Sequence, residues 1–233
     1  MTNITFNGID LENAAPVKID DIHVSPISLS PVTRQRVGFG QDFIRMNGSS
    51  RTVTITFALQ DEDIDGRWEQ MQKIKEWADP FKQHALSLPM FSGRHLECMC
   101  TGYPDPSYRQ WWETKLVLVF TTFENPYWTS DDEIRATCGT PFSIGGSAPP
   151  MIRIERRLTA RIANQTYAAN GQSMFFEQIP AGNLKIDLNA QTAEVSGTSI
   201  MQYFGKTAKF ITPVTGNITI TGNGTIYYRE RWV

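Results

Sequence analysis

The acidic run from Asp61 to Gly66 is the segment of this chain that most resembles a ligand-binding motif. Carboxylates at 61, 63 and 65 followed by glycine match the first half of a calcium loop, in which alternate oxygens converge and glycine makes the turn. The glutamate that should end such a loop is replaced by Gln72, a weaker and neutral ligand. Carboxylates also stabilise a helix N-terminus, where Asp63 or Asp65 would act as a cap. The sequence favours capping, and no bound metal is expected.

A second set of metal-ligand side chains is formed by His95, Cys98 and Cys100. A Cys-x-Cys pair in a strand puts both sulfurs on one face but lacks the wide loop of a zinc knuckle, and the fourth ligand would have to be Cys138 or a distant histidine. Buried free cysteines are common as small hydrophobic residues. Three cysteines also form no disulfide framework, which indicates a reducing compartment during folding. Zinc is therefore not expected.

No catalytic motif is recognisable in the chain. There is no Gly-x-Ser-x-Gly, no His-Glu-x-x-His and no phosphate-binding glycine loop, and only three histidines are present. Two carboxylates of a glycosidase could still meet in space. Several aromatic residues could form a sugar-binding platform, although core packing explains most of them: Trp111, Trp112, Tyr127, Trp128 and Trp232. We expect no enzyme, no catalytic residue and no cofactor.

Composition restricts the partners. The 233 residues suit one large or two ordinary globular domains, with 40% hydrophobic and 20% charged residues. A formal net charge of −2 gives no electrostatic reason to expect nucleic acid or an anionic membrane. No apolar stretch approaches the roughly 20 residues that span a bilayer, and no secretory signal is visible. We therefore expect neither nucleic-acid binding nor membrane insertion.

The first half mixes strands with one helix. Asn7-Gly8 between short apolar pieces predicts a tight hairpin, and the alternation of Thr52–Leu59 predicts a half-buried strand. The polar, glycine-bearing segment Thr33–Arg51 is either a loop or a projecting hairpin arm. Apolar residues at intervals of three and four from Trp68 to Phe81 predict an amphipathic helix that ends near Pro80. The predicted core residues of this domain are Trp68, Met71, Ile74 and Ala78.

The segment Leu116–Trp128 predicts a junction between two domains. A strand-like run ends at Pro126, which cannot donate to a sheet ladder, and only short strands and turn signals such as Asn170-Gly171 follow. Recurring short strands with turns indicate an antiparallel sandwich. The predicted domains are residues 1–138 and 139–233. The fold class is mainly β, with one α-helix in an α+β first domain and a β-sandwich as the second.

The order of these features resembles the distal tail protein of long-tailed (siphovirus-type) phages of Gram-positive bacteria and their prophages. The resemblance implies an N-terminal belt domain that closes a sixfold ring and a C-terminal galectin-like sandwich that points outward. It rests on segments spread over the whole chain: Ile4–Leu11, Arg51–Phe57, Trp68–Trp77, Glu124–Trp128, Ala148–Ile154 and Gly182–Leu188.

The resemblance implies a structural hub of the tail tip or baseplate. Its expected partners are further copies of itself in a homohexameric ring, the tail tube protein, the tail-tip hub or tail-associated lysin, and receptor-binding or baseplate proteins. It would be assembled in the host cytoplasm and located at the tail tip of the virion. The second domain is too short to contain the carbohydrate-binding insertions of some family members. The alternatives are a glycan-binding module that attaches to the host surface through its sandwich and, third, a glycosidase.

The segment Thr33–Arg51 is the expected contact with the neighbouring protomer of the ring. Its two phenylalanines are isolated apolar anchors in a polar stretch, and heterologous contacts of this kind close into rings when the rotation permits. The predicted ring-interface residues are Arg34, Arg36, Phe39, Phe43 and Arg45.

Overall fold

The computed structural model describes residues 3–27, 29–35, 41–48, 50–60, 63–79, 81–103, 116–123 and 125–233. The chain divides into two compact units, Met1–Trp128 and Thr129–Val233. This division precedes the predicted boundary at 138/139, because the strand Ile134–Thr137 pairs with the strand at the end of the chain and so belongs to the second unit. No helix in the described ranges is long and apolar enough to cross a membrane.

The first unit is an antiparallel sheet with one long helix. Its strands are β1 (Thr5–Phe6), β2 (Ile9–Asp10), β3 (Val17–Val24), β4 (Leu29–Gln35), β5 (Gln41–Gly48), β6 (Thr52–Leu59), β7 (His84–Ser87), β8 (Arg94–Gly102) and β9 (Leu116–Thr121). Its helices are α1 (Leu11–Ala14), α2 (Ile64–Ala78) and a 3-10 turn at Pro89–Phe91. The sheet has the order β3-β6-β9-β8-β7-β1-β2, with every pair antiparallel, while β4 and β5 pair with each other.

Two sequence predictions explain how this sheet begins and where its core lies. Asn7 and Gly8 both have positive φ, 54° and 73°, and they connect β1 to β2 in the predicted hairpin. Strand β6 alternates as expected, and its inward side chains Val53, Ile55 and Phe57 are completely buried. The first unit therefore has a core against one face of the sheet, and α2 covers part of it.

The buried face of α2 differs from the predicted stripe. Met71, Ile74 and Ala78 are buried, but Trp68 is 43% exposed, so its assignment to the core was wrong. At 3.6 residues per turn, Trp68 lies roughly 120° from the centre of the face formed by Met71, Ile74 and the buried Trp77. The helix also ends at Ala78, before Pro80, so Phe81 is not part of the stripe and is 88% exposed.

Trp77 is the aromatic residue that fixes α2 to the sheet. Its ring packs against Phe6 and Phe120 at centroid distances of 5.7 and 6.0 Å, and Phe6 packs on Phe120 at 5.0 Å. The indole N–H donates a 2.8 Å hydrogen bond to the carbonyl of Ile9. A buried tryptophan therefore satisfies its polar atom in the β1–β2 hairpin while its ring fills the core.

The second unit is a β-sandwich. Its strands, with β10 spanning the division between the units, are β10 (Trp128–Ser130), β11 (Ile134–Thr137), β12 (Phe142–Ile144), β13 (Ala148–Leu158), β14 (Ile162–Ala169), β15 (Gln172–Ile179), β16 (Gly182–Asp187), β17 (Thr192–Val195), β18 (Thr198–Ser199), β19 (Gly216–Ile218) and β20 (Thr225–Trp232). A 3-10 turn lies at Met201–Tyr203. One layer has the order β18-β17-β16-β13-β20-β11; β14 pairs with β15, and β12 with β19.

A single apolar core lies inside this sandwich. Inward residues of one layer, such as Ile154, Ile186 and Ile226, share a buried cluster with Tyr167 and Phe176 of the β14–β15 hairpin. The hairpin turns at Asn170-Gly171, where both residues have positive φ as the sequence predicts. The mainly β class with an α-helix in the first unit is therefore confirmed, with the short helix α1 as an addition.

Candidate functional site

The predicted ring-contact segment is a β-hairpin in the structure. Strands β4 and β5 pair in antiparallel register from Leu29 with Gly48 to Gln35 with Gln41, and a register shift follows Val32. The hairpin thus begins before the predicted start at Thr33. Of the predicted interface residues, Arg34 lies on β4, Phe43 and Arg45 lie on β5, and Arg36 and Phe39 lie outside the described residues.

Exposed apolar side chains are concentrated in the first unit. The most exposed apolar residue described in the first unit is Phe81, at 88%. The second unit has fewer exposed large apolar residues among those described, and the most exposed of them is Val233, at 64%. Single exposed apolar residues of this kind are normal on a protein surface. The first-unit residues are Ile9, Trp68, Phe81, Met90, Tyr103, Val117 and Phe123.

The acidic run does not have the geometry of a calcium loop. Asp63 occupies the N-cap position of α2 with extended backbone angles, although its side chain makes no capping hydrogen bond, and Asp65 lies in the first turn. The helix begins at Ile64, inside the would-be loop, so later positions up to Gln72 follow a helical path and cannot wrap around an ion. Asp61 and Glu62 lie outside the described residues.

The cysteine and histidine set also fails as a metal centre. Cys98 and Cys100 point to the buried face of β8, at 0% and 2% exposure, while His95 has the opposite parity and lies on the other face. Burial raises the pKa of both thiols, that of Cys100 to about 11, so neither forms a thiolate readily. Cys138 packs against the core of the second unit. Within the described ranges, no three His, Cys, Asp or Glu side chains meet as a metal site.

Of the five aromatic residues considered for a sugar-binding platform, the structure describes three, and these three are buried or half-buried. Trp128 is 1% exposed, and its ring lies 4.3 Å from that of Phe91 in the first unit, so it cannot stack on a sugar. Tyr127 and Trp232 are half-buried. Trp111 and Trp112 lie outside the described residues. The junction itself is held by an Asx turn, in which the backbone N–H of Tyr127 donates to the Asn125 side chain at 3.2 Å.

The outer face of the second unit is a network of cross-strand polar pairs. Tyr227 on β20 lies in register between Arg135 on β11 and Arg153 on β13, and both guanidinium carbons lie over its ring, at 5.2 and 4.8 Å. Arg153 also pairs with Glu133 at 2.9 Å and Glu155 at 2.7 Å. These cation–π and ionic contacts occupy Tyr227 from both neighbouring strands, so its ring is not free to bind a sugar face.

An open cleft of about 490 Å³ continues along this face. Its centre is an alternating row in which Glu155, Lys185 and Glu194 face one another on β13, β16 and β17, and Lys185 lies 3.6 Å from Glu194. The remaining lining residues are mainly polar and include Arg157, Asn183, Ser196 and Thr225. The cleft has the character of a charged, solvated surface rather than an apolar ligand pocket.

Comparison with known proteins identifies the fold. The chain superimposes on the crystal structure of Dit, the hub protein of the adsorption apparatus of phage SPP1, with a TM-score of 0.74 over 99% of both chains at 13% identity. The fold is that of a distal tail protein. A chain of the phage p2 baseplate in its activated conformation also matches, with a TM-score of 0.52 and 7% identity over 98% of this chain and 96% of that one. No protein-family model and no curated protein sequence matches the chain.

The structure agrees with some of the residues predicted from the sequence and reveals others that the prediction did not include. Met71, Ile74 and Ala78 are buried, as the helical spacing of apolar residues predicts, and the polar segment contains the paired strands β4 and β5. Arg51 and Trp77 were missed as important residues. Arg51 precedes Val53 and Ile55 with the same parity, so extending the period-two pattern of β6 by one step would have placed it on the buried face.

Proposed function

We propose that this protein is a structural hub of a phage tail tip or baseplate, in which a ring joins the tail tube to the tail-tip and receptor-binding components. The observation that carries the proposal is the likeness to SPP1 Dit over 99% of both chains. Because the likeness spans both units and leaves no substantial extra segment, it supports a role that uses the whole molecule. Fold alone does not fix function, so the role is proposed from the surfaces of the two units.

The ring is proposed to be a homohexamer closed by the first unit, the belt domain. The β4–β5 hairpin would contact the neighbouring protomer through Arg34, Arg36, Phe39, Phe43 and Arg45. A head-to-tail contact between different surfaces generates a ring when the rotation per protomer closes. The exposed apolar residues described in the first unit lie outside this hairpin, and a neighbouring protomer that covers them would bury further apolar surface.

The second unit is proposed to point outward and to hold receptor-binding or baseplate proteins. Its outer face offers charged pairs and a polar cleft rather than an apolar pocket. Repetition around a ring multiplies weak contacts, so each single contact between the second unit and its partner can be modest. One face of the ring would bind the tail tube and the other the tail-tip hub or tail-associated lysin. The protein would be a component of the virion, assembled in the host cytoplasm.

A structural role also accounts for the site chemistry better than catalysis does. The thiols of Cys98 and Cys100 are buried with raised pKa values, and the acidic run leads into a helix. These are features of packing and capping, and a hub has no need of reactive groups. The rival proposal, a glycan-binding module, would have to use the cleft beside Tyr227, whose ring is already engaged by Arg135 and Arg153.

Binding to the other tail proteins of the same phage or prophage tests the role directly. The full-length chain is immobilised and mixed separately with the tail tube protein, the tail-tip protein and the receptor-binding protein. The same preparation is applied to a glycan array. The proposal predicts capture of tail components and no specific glycan. A monomeric chain that ignores the tail proteins and binds a defined glycan would establish the rival function.

A further inference from the structure

The start of strand β6 is held from both sides by side-chain hydroxyl groups. On one side, the Ser25 N–H donates to the Thr52 carbonyl at 2.8 Å, and the Thr52 N–H donates to the Ser25 hydroxyl at 2.8 Å. On the other side, the Thr122 N–H donates to the Arg51 carbonyl at 3.0 Å, and the Arg51 N–H donates to the Thr122 hydroxyl at 2.8 Å. Each pair therefore combines one bond between backbones with one bond to a hydroxyl.

In each pair the hydroxyl takes the place of a backbone carbonyl. Ser25 directly follows β3 and Thr122 directly follows β9, and each faces the residue that continues the pairing of β6 with that strand. In a regular hydrogen-bonded pair of an antiparallel sheet, both bonds join backbone N–H and carbonyl groups. Here the side chain supplies the second acceptor, so the chain can leave the sheet while the N–H group that faces it stays bonded.

These four residues form the base of the β4–β5 hairpin. Ser25 precedes β4 and Arg51 follows β5, so the bonds between Ser25 and Thr52 join the two ends of the segment that contains the hairpin. Arg51 and Thr122 are 5% and 0% exposed, and the other two residues are half-buried. Buried N–H groups depend on bonds of this kind, because water cannot replace them. The hairpin base is therefore fixed to β3 and β9 of its own protomer.

We propose that the hydroxyl groups of Ser25 and Thr122 are positioning groups for ring assembly, which hold the hairpin in the direction in which it meets a second copy of this chain. The inference rests on the ring proposed above, in which this hairpin contacts the neighbouring protomer. A segment that is ordered only on binding costs affinity, whereas a segment that is fixed beforehand does not. Only protomers whose hairpin has the required direction can bind, so a looser base weakens the ring although every contact residue is unchanged.

The test removes the two hydroxyl groups singly and together in the full-length chain. Thr122→Val keeps the shape of the side chain but leaves the buried Arg51 N–H without its acceptor. We expect it to raise the dissociation constant of the ring about 5- to 30-fold, the change that corresponds to one lost hydrogen bond of a buried donor. Ser25→Ala should have a smaller effect because its site is half-buried, and the double variant should have the largest. Thr122→Ser, which keeps the hydroxyl, should form a ring close to wild-type strength.

Two control variants separate positioning from general stability. Thr121→Val removes the neighbouring hydroxyl, which contacts the Thr101 hydroxyl at 2.8 Å on the exposed face of the sheet. Ile74→Val removes one methyl group from the core of the same unit, so it should lower the stability of the protomer without changing the hairpin base. At a temperature at which every protomer is folded, both controls should keep the wild-type dissociation constant. Hydrogen exchange of the Arg51 and Thr52 amides in separated protomers should become faster only when a hydroxyl of the base is removed.

Several outcomes would overturn the inference. A ring of wild-type strength in the double variant would show that assembly does not depend on the hairpin base. Equal weakening in Thr121→Val or Ile74→Val would assign the effect to a general loss of stability in the first unit. If Thr122→Val does not fold, a ring of wild-type strength in Ser25→Ala with faster exchange of the Thr52 amide overturns the positioning role. Unchanged amide exchange in every variant contradicts the hydroxyl bonds alone, whereas a wild-type chain that never forms a ring contradicts the proposed function as well.

Discussion

The two units of this protein differ in the kind of surface that each presents. In its described residues, the first unit exposes Phe81, Trp68 and other large apolar side chains. The second unit encloses one continuous apolar core, and the charges on its outer face meet opposite charges on adjacent strands, as Glu155, Lys185 and Glu194 do. Among the described residues, the first unit is therefore the one with more apolar side chains for a neighbouring protomer to cover.

This difference supports separate roles for the two units in the proposed ring. Covering exposed apolar residues with a neighbouring protomer lowers the free energy of the assembly, which supports the proposal that the first unit closes the ring. A face whose charges are already paired gains little from one contact but remains soluble and can bind weakly many times around a ring. Each prediction below tests one side of this contrast.

Replacing both Phe39 and Phe43 with serine should give the largest effect, the loss of the ring. The two anchors are proposed to pack on the neighbouring protomer, and replacing both removes the aromatic contacts proposed for the hairpin. Mass measurement should find protomers at concentrations at which the wild-type chain forms rings, while circular dichroism shows a folded chain.

The matched control for that double variant lies in the second unit. Ile134 and Val214 are 39% and 38% exposed, and replacing both with serine should leave the ring intact. If rings survive the hairpin change, or dissociate equally in the control variant, then the hairpin is not part of the interface.

In the interior of the first unit, Ile74→Ala should lower the free energy of unfolding by about 2–5 kcal/mol, the range for a large-to-small change in a core. Ile74 is completely buried on α2. The control is Trp68→Ala, which removes a larger but 43% exposed side chain from the same helix and should cost less than Ile74→Ala. Urea unfolding of protomers at low concentration measures both, and equal costs would contradict the assigned helix face.

Removal of one buried hydroxyl should lower the stability of the sandwich in the second unit. Tyr167 donates a 3.0 Å hydrogen bond to the carbonyl of Asn223, so Tyr167→Phe should cost about 1 kcal/mol. Burial raises the pKa of Tyr167 to about 12, above the ordinary value of 10. The neutral phenol is thus favoured by the folded state, and its contribution to stability is complete below pH 10 and lost as the pH rises towards 12. Thermal unfolding across this range should show a smaller alkaline loss in Tyr167→Phe than in the wild type.

The smallest effect is expected on the outer face of the second unit. Lys185 and Glu194 lie 3.6 Å apart and are 48% and 40% exposed, so their coupling in a double-mutant cycle should be about 0.2–1 kcal/mol and should fall with added salt. Lys185→Met and Glu194→Gln supply the cycle. A coupling that is several-fold larger and insensitive to salt would mean that this face is more rigid and less solvated than the contrast requires.

Much of this fold could be predicted from local patterns, because those patterns determine local geometry. Asn7-Gly8 and Asn170-Gly171 specify turns in which both residues have positive φ, and the alternation of β6 specifies its buried face. The exposure of Trp68 could not be predicted with the same certainty. The stripe allowed a face centred on either side of Met71, and the choice depends on where the aromatic cluster of Phe6 and Phe120 receives Trp77.

The candidate surfaces were less predictable because they depend on residues far apart in the chain. The burial of Arg51 becomes visible only when Thr122, which follows β9, lies beside it and bonds its backbone. In the sequence, nothing distinguishes Tyr227 from the other aromatic residues. Its contacts with Arg135 and Arg153 arise from the register of three strands. The domain boundary moved for the same reason, since only the pairing of β11 with β20 assigns residues 134–137 to the second unit.

The mass of the full-length protein in solution tests the central claim most directly. Native mass spectrometry over a range of concentrations, supported by light scattering, distinguishes a closed ring from lower or open-ended assembly. The proposed hub predicts one dominant species of six times the 26.4 kDa protomer mass, without larger multiples. A chain that remains a protomer at every concentration, or that grows without limit, would contradict the assignment of the first unit to ring closure.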